Sequence, residues 1–119
     1  MKFQTKDSGA RQEYSTGMRR DLQEGKPSFH FLLLEGMPYQ EQFLTRWAEL
    51  MERGAQKYGA RNFQLAKTQE ELDRFKASAL RHMMQWQCGE TDEDHSAAVA
   101  FNLMAAEYVK WRMANEKKA

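Results

Sequence analysis

From position 39 onward, apolar residues recur every three or four positions in three blocks, which are separated by glycine-containing stretches. This spacing places the apolar side chains of each block along one face of an α-helix. The chain holds only two prolines, and no Val/Ile-rich alternation that would indicate a sheet. The pattern therefore predicts an all-α protein with helices over residues 39–53, 68–87 and about 92–115.

Residues of the types that begin and end helices flank these blocks. Gly54 follows the first block and Gly89 the second, where a glycine commonly ends a helix. Thr68 has Glu71 three positions later, which is the spacing of a capping box. Asp94 follows Thr91 in the same way and indicates a capped start of the third helix.

The first 28 residues are polar and are interrupted by three glycines and Pro27. Such a segment predicts an irregular N-terminal arm. The expected organisation is thus an arm at 1–28, a helical domain at 29–115 and a solvated tail at 116–119. The segment "SFHFLLL", at 28–34, is either a short strand or an apolar stretch laid across the helical core, because its periodicity fits both.

Length and charge narrow the class of protein. A chain of 119 residues fits one domain. With 18 basic and 17 acidic residues, the chain has almost no net charge that would attract nucleic acid or a membrane surface. The single cysteine, Cys88, excludes an internal disulfide and is typical of a reducing cytosol. No apolar run approaches the roughly 20 residues that span a bilayer, and no secretory signal is present, so we expect a cytoplasmic protein.

The predicted helices carry more large apolar side chains than one stripe each can hold, including Trp47, Trp86, Trp111 and several of the eight methionines. Helices of this kind often bury a second face in an oligomer. We expect a homodimer or homotetramer. A small helical interaction protein, whose acidic residues are ordinary surface charge, is the alternative from a different functional class.

Carboxylates near the apolar stripes are candidate metal ligands. Glu49 and Glu52 are three positions apart and so are neighbours on one helix surface. The periodicity puts Glu52 at the edge of the apolar stripe, beside Ala48. A carboxylate that is partly buried needs a partner, and Mg²⁺ or Mn²⁺ is one such partner. A solvated helix flank explains the same pair without a metal.

The third helix offers a second carboxylate. Asp94 lies four positions before Ala98 and continues its buried stripe, while His95 and Asn102 share the adjoining face. Carboxylates from two helices are a common way to build a metal site inside a bundle. Acidic residues in a first helical turn also complement the helix dipole, which is the simpler explanation.

Cations follow the first acidic helix in the stretch "GAQKYGARNF", residues 54–63. Its Lys57 and Arg61, with Arg81 from the second helix, are candidates for binding phosphate oxygens that a metal holds from the other side. Each of them is equally explained as surface charge. The chain has no Walker A motif, so it is not a P-loop protein.

Three segments resemble one family. "GAQKYGARNF" resembles the G-A-x-K-Y-G-x-R-N-W/F stretch of the phage dATP/dGTP diphosphohydrolase family. "SALRHMMQWQCGETDED" is similar to its R-H … G-E … D-x-E/D segment, and "DLQEGKPSFHFLL" to its G-K-P-x-x-x-L-L segment. Together they cover roughly residues 17–110. This family is itself similar to the MazG-like all-α nucleotide pyrophosphohydrolases, which include the MazZ enzymes.

The resemblance implies a MazG-like helical bundle that needs Mg²⁺ or Mn²⁺. Such an enzyme cleaves a deoxynucleoside triphosphate, here dATP or dGTP, to the monophosphate and pyrophosphate by water attack at the α-phosphorus. A phage-encoded member acts in the host cytoplasm. The resemblance and the spacing together give the nucleotide-binding candidates Lys57, Tyr58, Arg61, Asn62, Arg81 and Asn102.

The wider superfamily implies metal ligands from an E-E-x-x-E motif and an E-x-x-D motif on a later helix. "AELME" supplies the second and third acids of the first motif, Glu49 and Glu52, with Ala48 in place of the first. For the second motif, "EELD" offers Glu70 and Asp73. The resemblance favours Asp94, assisted by His95 or Glu90, because the third helix is the more apolar one. A nucleotide sensor of the same fold, which binds without turnover, is the nearer alternative.

Overall fold

The structure of the protein is a computed structural model that describes residues 5, 7, 9–22 and 24–116. It divides into two compact units, residues 1–31 and 32–119. Most of the predicted tail, residues 117–119, lies outside the described residues, as do parts of the predicted arm.

The N-terminal unit contains a short antiparallel hairpin of β1 (Arg11–Glu13) and β2 (Arg19–Asp21). Arg11 pairs with Asp21 across the hairpin, and their side chains form an ion pair with Nη1 and Oδ1 2.9 Å apart. Gly17, at φ 91°, supplies the left-handed backbone of the turn. The irregular arm is confirmed in outline. The hairpin was not predicted, because two strands of three mostly charged residues carry no apolar alternation.

The apolar segment that follows is not a strand. Phe29–Leu32 form a short 3₁₀ helix, and the large side chains of the segment are exposed, namely those of Phe29, Phe31, Leu32, Leu33 and Leu34. Buried Gln42 explains why the backbone turns here. Its Oε1 accepts from the N–H of Leu34 at 2.9 Å, and its Nε2 donates to the carbonyl oxygens of Leu34 and Met37, both at 2.8 Å. The side chain thus satisfies backbone groups that a strand would pair with a neighbour.

The second unit is helical, which confirms the predicted fold class. Its described residues form α1 (Phe43–Tyr58), α2 (Gln69–Gln87) and α3 (His95–Glu116). The predicted capping box begins α2: Thr68 Oγ1 accepts from the N–H of Glu71 at 3.2 Å, and Glu71 Oε1 accepts from the N–H of Thr68 at 3.1 Å. Among the described residues, no helix has both the length and the apolar character that crossing a bilayer requires.

The predicted end of α1 at residue 53 is wrong. The helix continues through Gly54 to Tyr58, so half of the supposed loop "GAQKYGARNF" is helical. An internal glycine costs a helix roughly 1 kcal/mol relative to alanine but does not break it. Gly59 ends the helix instead, because its φ of 95° turns the chain and its N–H reaches the carbonyl of Ala55 at 2.8 Å.

Two helix starts also differ from the prediction. Residues 39–41 form a separate 3₁₀ turn, so α1 begins four residues later than expected. The third helix begins at His95 rather than near residue 92. Asp94 is its capping residue, with Oδ1 accepting from the N–H of Ala97 at 3.2 Å.

Helices α1 and α2 both pack against α3. The core between α2 and α3 consists of Ala66, Leu72, Ala106 and Val109, with Phe75 and Met113 packed against it. Arg112 ties the 3₁₀ helix Asn62–Leu65 to α3 by donating from Nη1 to the carbonyl of Gln64 at 2.6 Å. This tie fixes the chain that follows α1 beside α3, where the candidate site lies.

Candidate functional site

A charged cleft of about 580 Å³ lies between the end of α1 and the start of α3. From α1 it receives Leu50, Arg53, Gly54, Lys57 and Tyr58, whose spacing puts them on one helix face. Opposite them stand three consecutive acids in the loop before α3 and its cap, Asp92, Glu93 and Asp94. The remaining lining residues are Ser78, His82, Ala98, Phe101 and Asn102.

Asp94 links the two sides of this cleft. Besides capping α3, its Oδ1 lies 3.4 Å from Nη1 of Arg46 on α1. Ser96 Oγ donates to the same oxygen at 3.1 Å. The side chain is 21% exposed, so the sequence prediction of a partly buried carboxylate with a partner is met by an arginine and a helix end.

At the wall of the cleft, four side chains form a directional chain of hydrogen bonds. The Nδ1 atoms of His82 and His95 are 2.8 Å apart, His95 Nε2 is 2.8 Å from Asp92 Oδ1, and Arg81 Nη2 is 3.3 Å from His82 Nε2. A guanidinium only donates. His82 therefore accepts at Nε2 and donates from Nδ1, and His95 accepts at Nδ1 and donates from Nε2 to Asp92. Every member is satisfied with both imidazoles neutral.

The same contacts shift two pKa values. Burial lowers the pKa of His82, and the nearby positive charge of Arg81 adds to the effect. The hydrogen bond from His95 lowers the pKa of the Asp92 carboxyl. Both shifts favour the protonation states that the chain of hydrogen bonds requires, a neutral His82 and an ionised Asp92.

Nitrogen and oxygen atoms that can bind a metal converge around His95. Among the described residues, two sets of three have ligand atoms within 4.8 Å of one another: His82 with Glu93 and His95, and Glu90 with Asp92 and His95. His95 is 2% exposed, whereas the three acids are exposed. The carboxylates are the ligands that Mg²⁺ and Mn²⁺ prefer, and His95 adds a nitrogen donor to each set.

Asn102 presents a buried polar group to the cleft. The residue is 6% exposed, and its Nδ2 donates to the carbonyl of Ala98 at 2.8 Å. Its Oδ1 makes no hydrogen bond to the rest of the chain that the structure describes. An acceptor without a protein partner at the wall of a cleft is a natural contact for a ligand.

An apolar cavity of about 300 Å³ lies beside the charged cleft. The two share the lining residues Leu50, Gly54, Tyr58 and Phe101. Rings furnish much of the cavity wall, with Phe63 and Phe75 both meeting Phe101 edge to face at 5.4 and 6.2 Å. Arg61 and Asn62 are among its few polar lining residues.

Arg61 adopts a left-handed backbone, with φ 62° and ψ 20°. It is the single non-glycine residue with positive φ in the described part of the chain. That conformation costs a residue with a Cβ about 1 kcal/mol or more. It lets the chain turn between Gly59 and the following 3₁₀ helix with an arginine at the cavity wall.

The structure brings together most of the predicted nucleotide-binding residues. Lys57, Tyr58 and Asn102 line the charged cleft, and Arg61 and Asn62 line the cavity beside it. Arg81 is exposed, lines neither space, and binds Gln85 Oε1 at 3.0 Å as well as His82.

The structure places some of the predicted metal ligands at the cleft or beside it, and others away from it. Asp94 lines the cleft, and His95 and Glu90 fall within one ligand set. Glu49 and Glu52 are exposed and do not line the cleft, so the expectation that Glu52 lies at a buried stripe edge is wrong. The residues of α1 that line the cleft are centred on Leu50, Gly54 and Lys57, on a different face of the helix from Glu52. The alternative acids Glu70 and Asp73 are exposed in the first turns of α2.

Sequence reasoning missed His82, Asp92, Glu93 and Arg53. His82 and His95 are 13 positions apart on two helices, a separation that no local motif contains. The available signal was "RH" in a helix followed by a run of acids and a second histidine.

The family model described as "dATP/dGTP diphosphohydrolase, N-terminal" matches residues 16–118. The matched span contains every residue of the cleft and of the apolar cavity. No curated protein and no solved structure matches the chain. The family resemblance of the three sequence segments is thus confirmed.

Proposed function

Because the chain belongs to the dATP/dGTP diphosphohydrolase family, we propose that it binds a purine deoxynucleoside triphosphate and hydrolyses it to the monophosphate and pyrophosphate. The charged cleft between α1 and α3 is the proposed seat of the phosphates. The observation that carries this proposal is the pairing of cations and carboxylates across one cleft: Arg53 and Lys57 on α1 face Asp92, Glu93 and Asp94.

The residues present fit a divalent cation. A cation bound by His82, Glu93 and His95 would replace the hydrogen bond between the two Nδ1 atoms, while Asp92 would orient His95 from Nε2 as second-shell carboxylates do in metal sites. When bound, Mn²⁺ or Mg²⁺ would neutralise phosphate charge and acidify a water molecule.

Side chains of the cleft bind the phosphates, position the acidic loop and contact the nucleoside. Lys57 and Arg53 donate charge-assisted hydrogen bonds to phosphate oxygens and offset the charge of the departing pyrophosphate. Glu93 is exposed at the mouth of the cleft and is the carboxylate that would hold the ion together with His82 and His95. Asp94 holds the acidic loop against α1 through Arg46. Asn102 offers its free Oδ1 to a hydroxyl or amino group of the nucleoside.

Pyrophosphate release tests this proposal. The protein is assayed with Mn²⁺ over a panel of deoxynucleoside and ribonucleoside triphosphates, and we expect turnover of dATP and dGTP. Lys57→Ala should lower kcat/KM about tenfold or more, since a charged hydrogen bond contributes roughly 1.5–3 kcal/mol. Lys76→Ala, which removes an exposed lysine of α2 outside the cleft, is the matched control.

Two other outcomes have definite meanings. Nucleotide binding without turnover would identify a sensor built on the same cleft. A protein that neither binds nor hydrolyses any triphosphate would be the interaction protein that the sequence also allows, and the proposal would be wrong.

A further inference from the structure

Gly54 has no structural reason to be a glycine. It lies within α1, its φ is not in the left-handed region, and a Cβ built on it would meet nothing within 4 Å. Glycine weakens a helix interior relative to alanine. Neither backbone conformation nor a close neighbour therefore accounts for this residue, and the phosphate chemistry proposed above does not use it.

The space that a Cβ would occupy is the wall shared by the two cavities. Gly54 lines both the charged cleft and the apolar cavity, and so do the residues one turn before and after it, Leu50 and Tyr58. A side chain at position 54 would project into the space where the charged cleft and the apolar cavity meet. The missing side chain matters only if a single ligand lies across α1 at this point.

The two cavities differ in the chemistry they accept. The cleft presents cations and carboxylates, whereas the apolar cavity is walled by Phe63 and Phe101 in edge-to-face contact, with Asn62 and Arg61 as polar groups. Among the described residues, Arg61 is the one charged side chain that lines the apolar cavity, so phosphate oxygens would lose most of their hydration there. A planar heteroaromatic ring suits it, because its faces are apolar and its edge carries hydrogen-bonding groups.

We propose that the apolar cavity binds the base of the nucleotide whose phosphates occupy the charged cleft, and that Gly54 is the positioning residue over which the sugar crosses. This inference rests on the proposed function for the identity of the phosphate cleft. Asn62 is the side chain that meets the base edge, since its amide both donates and accepts.

The test compares Gly54→Ala with Gln56→Ala, an exposed position in the same turn of α1 that lines neither cavity. Gly54→Ala should raise the Tm by about 4 °C, because it removes a helix-weakening residue from a small domain. It should also lower kcat/KM for dATP about tenfold or more, as overpacking of a filled site does. Its affinity for inorganic tripolyphosphate, measured by calorimetry, should equal that of the parent, because that probe has neither base nor sugar.

The outcomes separate this inference from the proposed function. If the parent hydrolyses dATP and Gly54→Ala keeps the parental kcat/KM, the base site is elsewhere while the activity stands. If the parent only binds α,β-methylene-dATP, without turnover of dATP, a tenfold loss of that binding in Gly54→Ala still supports the base site. An equal loss of tripolyphosphate and nucleotide affinity would overturn the inference, because Gly54 would then shape the phosphate cleft alone.

Discussion

His82 on α2 and His95 on α3 share a hydrogen bond between their Nδ1 atoms at a distance of 2.8 Å. Two neutral imidazoles form a hydrogen bond between their Nδ1 atoms only if one carries its proton at Nδ1 and the other at Nε2. The groups that bind the two Nε2 atoms therefore decide which histidine donates. Arg81 donates to His82, and Asp92 accepts from His95. The pair therefore joins the two helices on either side of the acidic loop, residues 92–94.

Stability should depend on pH through His82. Burial lowers the pKa of this group from its ordinary value of 6.5, so the unfolded chain takes up its proton at a higher pH than the folded protein does. The free energy of unfolding is then greatest above about pH 7 and falls as the pH decreases from 7 toward 5. Urea titrations of the metal-free protein at a series of pH values measure this.

His82→Asn should flatten the pH dependence between 7 and 5. The control is His30→Asn, which removes an exposed histidine and should leave the slope unchanged. A parental slope in His82→Asn would mean that another group takes up the proton.

The metal ligands separate two accounts of the site. The cleft geometry predicts that Glu93→Gln weakens Mn²⁺ binding, because Glu93 is the carboxylate in the set with His82 and His95. The E-E-x-x-E resemblance instead predicts a loss for Glu52→Gln. Calorimetric titration of Mn²⁺ into both variants, with matched Tm values, decides between them. Loss of metal in Glu52→Gln alone would mean that the exposed face of α1 holds the ion.

We expect Arg61 to lower the free energy of unfolding while it raises the affinity for the nucleotide. Arg61→Gly relieves the left-handed backbone, so the free energy of unfolding should stay the same or rise by up to about 1 kcal/mol. The affinity for α,β-methylene-dATP should fall about tenfold through the lost charged hydrogen bond. Arg61→Ala should lose the same affinity and be the less stable of the two. Unchanged affinity in both variants would show that Arg61 only closes the turn.

Self-association should use the apolar residues that α2 and α3 leave exposed. These are Leu80, Met84, Trp86, Leu103 and Trp111, each more than half exposed. Exposed large apolar side chains of this kind on a small protein indicate an interface. Leu103→Lys should shift a dimer or tetramer to monomer in sedimentation, whereas Glu107→Lys, an exposed position one turn away, should not. A parent that sediments as a monomer at micromolar concentration would contradict this prediction.

Sequence reasoning recovered what local patterns encode. The capping box at Thr68, the end of α2 and the all-α class followed from spacing alone. It failed where two signals compete, as at Gly54, because a glycine inside a helix and one beyond its end look alike until the backbone angle is known. It also failed at the histidine pair, because residues on different helices meet through packing that no periodicity specifies.

Hydrolysis of dATP in ¹⁸O-labelled water tests the central claim most directly. Attack at the α-phosphorus puts the label into dAMP and leaves pyrophosphate unlabelled, and this is the result we expect for the parent with Mn²⁺. Labelled pyrophosphate would place the attack at the β-phosphorus, and dADP with labelled inorganic phosphate would place it at the γ-phosphorus. The first result would contradict attack at the α-phosphorus, and the second, or no cleavage at all, would contradict the proposal that this chain is a nucleotide pyrophosphohydrolase.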